Sequence, residues 1–147
     1  MSDTFGIKLG VEGEKEFKQS LRDINQNFKV LGSEMKLLES QFDRNDKSLE
    51  AMTARKKALN NEVVAQKDKV STLEAAMKNA ADSFGESDKR AQAWAIQLNN
   101  AKAELNNMER DLVSASKAVD EAANGFDKAE GEVGDFADEV KNAERRG

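Results

Sequence analysis

The sequence predicts an all-α protein: long heptad-patterned helices that form a coiled coil or an antiparallel helical bundle, with a short N-terminal β-strand-like segment. Three observations predict it. One register of apolar residues runs almost the whole length of the chain. Proline, which breaks helix interiors, is absent. Charged residues make up 35% and aromatic residues 5%, a balance that suits exposed helices around a thin core. Periodic placing of the apolar residues argues against disorder.

With Leu21 as heptad position a, every seventh residue is Leu21, Phe28, Met35, Phe42, Leu49, Lys56, Val63, Val70, Met77, Phe84, Ala91, Leu98, Leu105, Leu112, Val119, Phe126, Val133 and Val140. The d positions are Phe17, Ile24, Leu31, Leu38, Asn45, Met52, Leu59, Gln66, Leu73, Ala80, Ser87, Trp94, Ala101, Met108, Ala115, Ala122, Ala129, Phe136 and Ala143. A helix with this 3.5-residue period buries its stripe against another helix. The seam residues are therefore the candidate packing and oligomer contacts.

Residues 1–12 differ from the rest. Phe5, Ile7, Leu9 and Val11 alternate with Gly6, Lys8 and Gly10, the period of a half-buried strand. A lone strand does not stand by itself in water, so this segment is expected to be an assembly strand. Gly13 marks the turn into the first helix. Glu14 and Glu16 fall in its first turn, where the helix dipole favours carboxylates.

The long helical region spans 13–125, with breaks near 43–47 and 83–88. Its first helix reads from about 13 to 42. Asp43-Arg44-Asn45-Asp46 then interrupts it, and Asp46 or Ser48 can cap the second helix, about 47 to 83. Gly85 suits a positive-φ cap, and Ser87 or Asp88 can start the third helix, about 89 to 124. Gly125, Gly131 and Gly134 weaken a last helix over 126–147, which is expected to fray. Phe42, Phe84 and Phe126 lie six heptads apart, a weak internal repeat that preserves the register.

Two architectures fit the stripe. If the breaks are turns, the helices fold back as an antiparallel bundle roughly 55 Å long; if they are helical, copies associate as a rod of about 200 Å. In a parallel homo-oligomer Glu62 meets Lys67 and Lys69 meets Glu74, which attract. Glu34 with Glu39, Glu104 with Glu109 and Glu139 with Glu144 repel. Each exposed pair is worth at most about 0.5 kcal/mol, so the charges leave both architectures open. Alanines at d make the second half of the seam thin, so stability is expected to concentrate in the first half. Asn45, Lys56 and Gln66 interrupt the stripe. Polar seam residues can fix register or oligomer number; for Asn45 and Lys56 the favoured reading is a seam that opens to solvent, with Lys56 snorkelling, whereas Gln66 is mid-helix and a candidate for setting register. Trp94 at d is a packing anchor.

The chain lacks histidine and cysteine, which removes the ordinary zinc sites and histidine-assisted nucleophiles. No phosphate-cradling glycine loop occurs. Asp82, Glu86 and Asp88 lack the spacing of a calcium loop. No catalytic residue, cofactor or metal ligand is expected, and an enzyme is not expected. The net charge of −5 comes from interspersed signs with no basic patch, which argues against specific nucleic-acid binding. No apolar run approaches a membrane span, and no signal peptide is visible at the start.

The opening IKLGVEGEKEFKQSLRDINQNFKVLGSEMKLLESQF resembles the start of phage tail tape measure proteins. Such proteins begin with a short apolar strand, here Ile7 to Val11, then a glycine/acidic turn, here Glu12-Gly13-Glu14. An amphipathic helix follows, here carrying Phe17, Leu21 and Ile24. A short Asp/Asn break and a Lys/Ala/Gln-rich helix after it are also similar. The resemblance extends over the chain and is most specific in residues 5–42. It implies a structural protein of a phage or prophage tail, the N-terminal part of a ruler around which tube subunits polymerise. Implied partners are copies of itself, as trimers, with tail tube protein, tail assembly chaperones and tail-tip proteins. The implied location is the bacterial host cytoplasm during assembly and then the lumen of the virion tail. The rival reading is a generic coiled-coil scaffold or adaptor.

Overall fold

A computed structural model describes residues 10–134, with side chains over 10–125. It consists of three long helices, α1 (Gly10–Gln41), α2 (Leu49–Phe84) and α3 (Lys89–Gly134). The described residues are all-α and contain no strand. Both interruptions of the register are turns. The start of α1 is bonded to the end of α2, and the middle of α2 to α3, so consecutive helices run antiparallel. The chain therefore folds back on itself, and its longest element, α3, has 46 residues. At 1.5 Å per residue that is about 69 Å.

Local chemistry sets each helix end. Gly10 has φ 68°, which favours glycine, and starts α1 three residues before Gly13. Its N–H donates to Asn79 Oδ1 at 3.0 Å, and its carbonyl accepts from Asn79 Nδ2 at 3.3 Å. The strand expected over 5–11 is corrected at its end: Val11 is helical and exposed. Phe5, Ile7 and Leu9 lie outside the described residues. Gly13, expected at a turn, is buried inside α1.

The first turn is held by its own acids. Asn45 N–H donates to Asp43 Oδ1 and Ser48 N–H to Asp46 Oδ1, both at 2.8 Å. Ser48 is the N-cap of α2, its Oγ accepting from Ala51 N–H. The Arg55 guanidinium donates to the carbonyls of Asp46 and Asp43 at 2.7 and 2.8 Å, closing the turn from α2. These bonds, the one from the Ser48 backbone first, hold the Asp46 carboxyl below its ordinary range.

The second turn uses Gly85, with φ 99° and ψ 148°, a region open almost only to glycine. Asp88 follows as the N-cap of α3, accepting from Arg90 N–H at 2.8 Å. The Arg90 side chain bonds Asp88 as well and lies 3.4 Å from the centroid of the Phe84 ring. That side-chain bond lowers Asp88 to about 2. α3 then runs unbroken across Gly125 and Gly131 to Gly134, past the boundary expected at 125. Glycine in a helix interior costs about 1 kcal/mol relative to alanine but does not forbid the helix, and no proline stops this one.

The core sits at the end of the bundle that holds the second turn. Leu21 and Ile24 of α1 meet Val70, Leu73, Ala76 and Ala80 of α2 and Ala91, Trp94, Leu98 and Ala101 of α3. Stability was expected in the first half of the sequence, and that expectation is corrected. The alanines let α2 and α3 approach closely around Leu73 and Trp94, and α1 covers them with Leu21 and Ile24, so this end buries most, although many of its side chains are small.

Candidate assembly surface

Folding back gives α2 two neighbours. Its a and d positions are not enough, and a third column at c turns inward: Ala51, Ala65 and Asn79 are buried, Ala58 and Thr72 half-buried. The heptad stripe alone missed this column. A run of small residues seven apart on one helix was the signal in the sequence.

Each pair of helices is tied by one buried polar side chain. Gln66 is 1% exposed and donates from Nε2 to the Ala101 carbonyl at 3.0 Å, joining α2 to α3. Asn79 joins α2 to α1 through both backbone groups of Gly10. Trp94 Nε1 donates to Glu14 Oε2 at 2.7 Å, joining α3 to α1. Glu14, read from the sequence only as a first-turn carboxylate, is 9% exposed and lies in the seam. It stands seven residues before Leu21, so it extends the a column one heptad upstream. Burying a polar group is costly unless it is bonded, so these three bonds select this packing over shifted ones.

Antiparallel packing also rearranges the flanking charges. Within the chain Lys67 and Glu74 pair across to Glu109 at 3.9 Å and Lys102 at 3.8 Å. In heptad terms, e meets e. On the other flank g meets g, and Glu62 faces the like charge of Asp111. Desolvation first, and Asp111 second, raise the Glu62 carboxyl.

The predicted seam residues divide by depth along the bundle. Leu21, Ile24, Met52, Val63, Gln66, Val70, Leu73, Trp94 and Leu98 are buried. Phe17, Phe28, Met77, Phe84 and Leu105 are half-buried against the core. Toward the first turn, Leu31, Met35, Leu38, Phe42, Leu59, Met108 and Leu112 are only half-buried, and Leu49 is 41% exposed. Asn45 is exposed in the turn and Lys56 is half-buried. The end of the bundle around the first turn is thus an apolar surface that the three helices cover incompletely. Val30 and Leu37, seven apart on the outside of α1, are exposed as well.

Among the described residues, no group of three acidic, histidine or cysteine side chains is placed to hold a metal. No described helix is long and apolar enough to cross a membrane. A shallow cleft between α1 and α2 is lined by Asp23, Ile24, Asn27, Ala65 and Asp68. Comparison with known proteins finds no matching family model, curated protein or solved structure.

Proposed function

We propose that the chain is a structural protein of a phage tail, the N-terminal part of a tape measure that acts as a helical ruler and scaffold for tube polymerisation. Its partners in this reading are its own copies, tail tube protein, assembly chaperones and tail-tip proteins, and it performs no catalysis. The observation that carries the reading is the seam itself. The apolar register does not end where the bundle core ends. It continues half-exposed around the first turn and onward along α3. A helical scaffold needs such a surplus, because apolar area left uncovered in one chain is the area that a neighbour in an assembly covers. The resemblance of residues 5–42 to tape measure openings supplies the biological setting.

The folded-back geometry sharpens the test. Opened, each residue adds 1.5 Å of ruler; folded into three helices, it adds about a third of that. Removing residues 43–126 takes out twelve whole heptads and preserves the register, since Phe42 and Phe126 share position a. A phage carrying this in-frame deletion is expected to make tails shorter by about 126 Å if the segment opens along the tube axis. Tails of unchanged length in electron micrographs would refute a ruler role for this segment. The generic scaffold reading is favoured if the coding region has no tail genes as neighbours.

A further inference from the structure

We infer that two copies of this protein exchange α1: the first turn straightens into helix, and α1 of each copy packs on α2 and α3 of the other. The incompletely covered end of the bundle is thus covered by a second copy of the same chain. Three observations about the first turn carry this.

The first is the register. Phe42 and Leu49 stand seven residues apart on either side of the turn, both at position a, with Leu38 and Met52 at d beside them. A turn between two helices places no demand on register, and a folded-back chain has no use for one that continues through it. A continuous helix does, because only an unbroken period keeps one stripe facing a neighbour along its length. The second is composition. Neither glycine nor proline occurs between Gly32 and Gly85. Every residue from Phe42 to Ser48 can therefore enter a helix, whereas the second turn is built on Gly85 at φ 99°. The third is the closure of the first turn. Arg55 donates to the carbonyls of Asp43 and Asp46. In a helix those carbonyls accept instead from the backbone N–H groups four residues on, those of Lys47 and Glu50. The turn's bonds thus have helical replacements, and Arg55 is the latch that holds the turned form.

The exchange keeps every contact of α1. Gly10 is bonded to Asn79, and Ile24 and Ala65 line one cleft, so the register of α1 on α2 is centred between Arg44 and Asn45. Two straightened chains paired antiparallel in that register have their two-fold axis at the same point. Each then presents one helix of about 75 residues, roughly 112 Å. The bonds from Gly10 to Asn79 and from Trp94 to Glu14, and the packing of Leu21 and Ile24, are remade between copies. What the dimer adds lies at the axis. There Phe42 of one copy comes level with Leu49 of the other, side chains that are half-buried and 41% exposed in the single chain. Apolar area left open at the turn is thereby covered, and the contact is isologous, so it closes at two copies. This exchange is independent of any role in a tail.

The chain lacks cysteine, so an introduced pair reports the exchange. Asp23 of α1 and Asp68 of α2 are exposed and line the same cleft. With Asp23→Cys and Asp68→Cys, a short bis-maleimide joins residues of one chain in the folded-back monomer and of two chains in the exchanged dimer. The full chain is unfolded in urea, refolded at low and at high protein concentration, and sized by chromatography with light scattering. The expected result is a dimer fraction that grows with concentration and crosslinks between chains. Arg55→Ala removes bonds made only in the turn and is expected to raise the dimer-to-monomer ratio at least about tenfold. Arg44→Pro suits the turn, in which Asp46 N–H donates to the Asp43 carbonyl across Arg44 and Asn45, and it bars a continuous helix, so this variant is expected to stay monomeric. A two-glycine insertion after Arg44 serves the same purpose if the proline variant fails to fold. The inference is overturned by wild-type and Arg55→Ala chains that are monomeric at every concentration, or by a dimer whose crosslinks lie within chains. It is equally overturned by an Arg55→Ala ratio equal to that of wild type, or by an Arg44→Pro or glycine-insertion dimer as abundant as the wild-type one.

Discussion

The bond between Glu14 and Trp94 is the best place to perturb the fold, because it alone among the side-chain hydrogen bonds described joins the first helix to the third. Replacing Glu14 by Ala removes a charge-assisted acceptor and leaves an indole N–H at 3% exposure with no partner. A bond to a charged group contributes about 1.5–3 kcal/mol, and an orphaned buried donor costs about 1–3 kcal/mol. These two figures describe one loss from two sides, so Glu14→Ala is expected to cost about 2 kcal/mol. Glu14→Gln keeps an acceptor without the charge and is expected to recover about half of it. Trp94→Phe removes the same bond from the other side and loses some packing. The assay is a double-mutant cycle by urea unfolding, read by far-UV circular dichroism, since Trp94 is the sole tryptophan. Coupling of at least about 1 kcal/mol is expected, with the double variant less damaged than the summed singles. In thermal scans each kcal/mol corresponds to about 3–6 °C for a domain of this size. Strict additivity of the two substitutions would show that Glu14 and Trp94 do not act on one another, and the three-way tie of the bundle would fall with it.

Other substitutions test the remaining features. Leu73→Ala, at a fully buried site, is expected to cost about 2–5 kcal/mol, whereas Leu38→Ala at the half-buried end costs less than half as much; equal losses in denaturant midpoints would contradict a core placed at one end. Gly32 lies exposed inside α1 with open space around an added Cβ, so Gly32→Ala is expected to stabilise by about 0.5–1 kcal/mol in the same unfolding assay. Glu62 has a raised carboxyl in the folded chain, so the folded state binds its proton more readily than the unfolded one, and this site weakens the fold as pH rises through the raised value. Glu62→Gln is therefore expected to stabilise the fold at pH 7 by no more than about 0.5 kcal/mol, read as a slightly higher melting temperature, and to have no effect well below the ordinary carboxylate range. A benefit that grows on acidification would reverse that assignment.

Much of the fold is legible residue by residue. Ser48 and Asp88 are short acceptors at the starts of helices, and Gly85 is a glycine at the end of one, so capping chemistry marks both turns within a few positions. Gln66 stands out as a polar residue in mid-seam, and the structure gives it a partner on α3. Glu14 and Asn79 were not legible. A carboxylate near a helix start and an asparagine off the stripe are ordinary surface residues until a neighbour from about seventy or eighty positions away in sequence arrives beside them. The same holds for Ala51 and Ala65, whose burial depends on α2 having a helix on each side.

The sequence by itself determined that the chain is helical, where its two turns fall and much of the stripe that turns inward. Those properties arise from local bonds and from a period of seven, and both are written in contiguous residues. Only the tertiary structure decided that the register doubles back, that e meets e and g meets g across the α2–α3 pair, and that the deepest core lies beside the alanines. A heptad stripe is satisfied equally by a parallel neighbour, an antiparallel one or a second chain. The choice among them depends on a few buried polar partners and on how closely small side chains let the helices approach, and these are properties of pairs of distant residues.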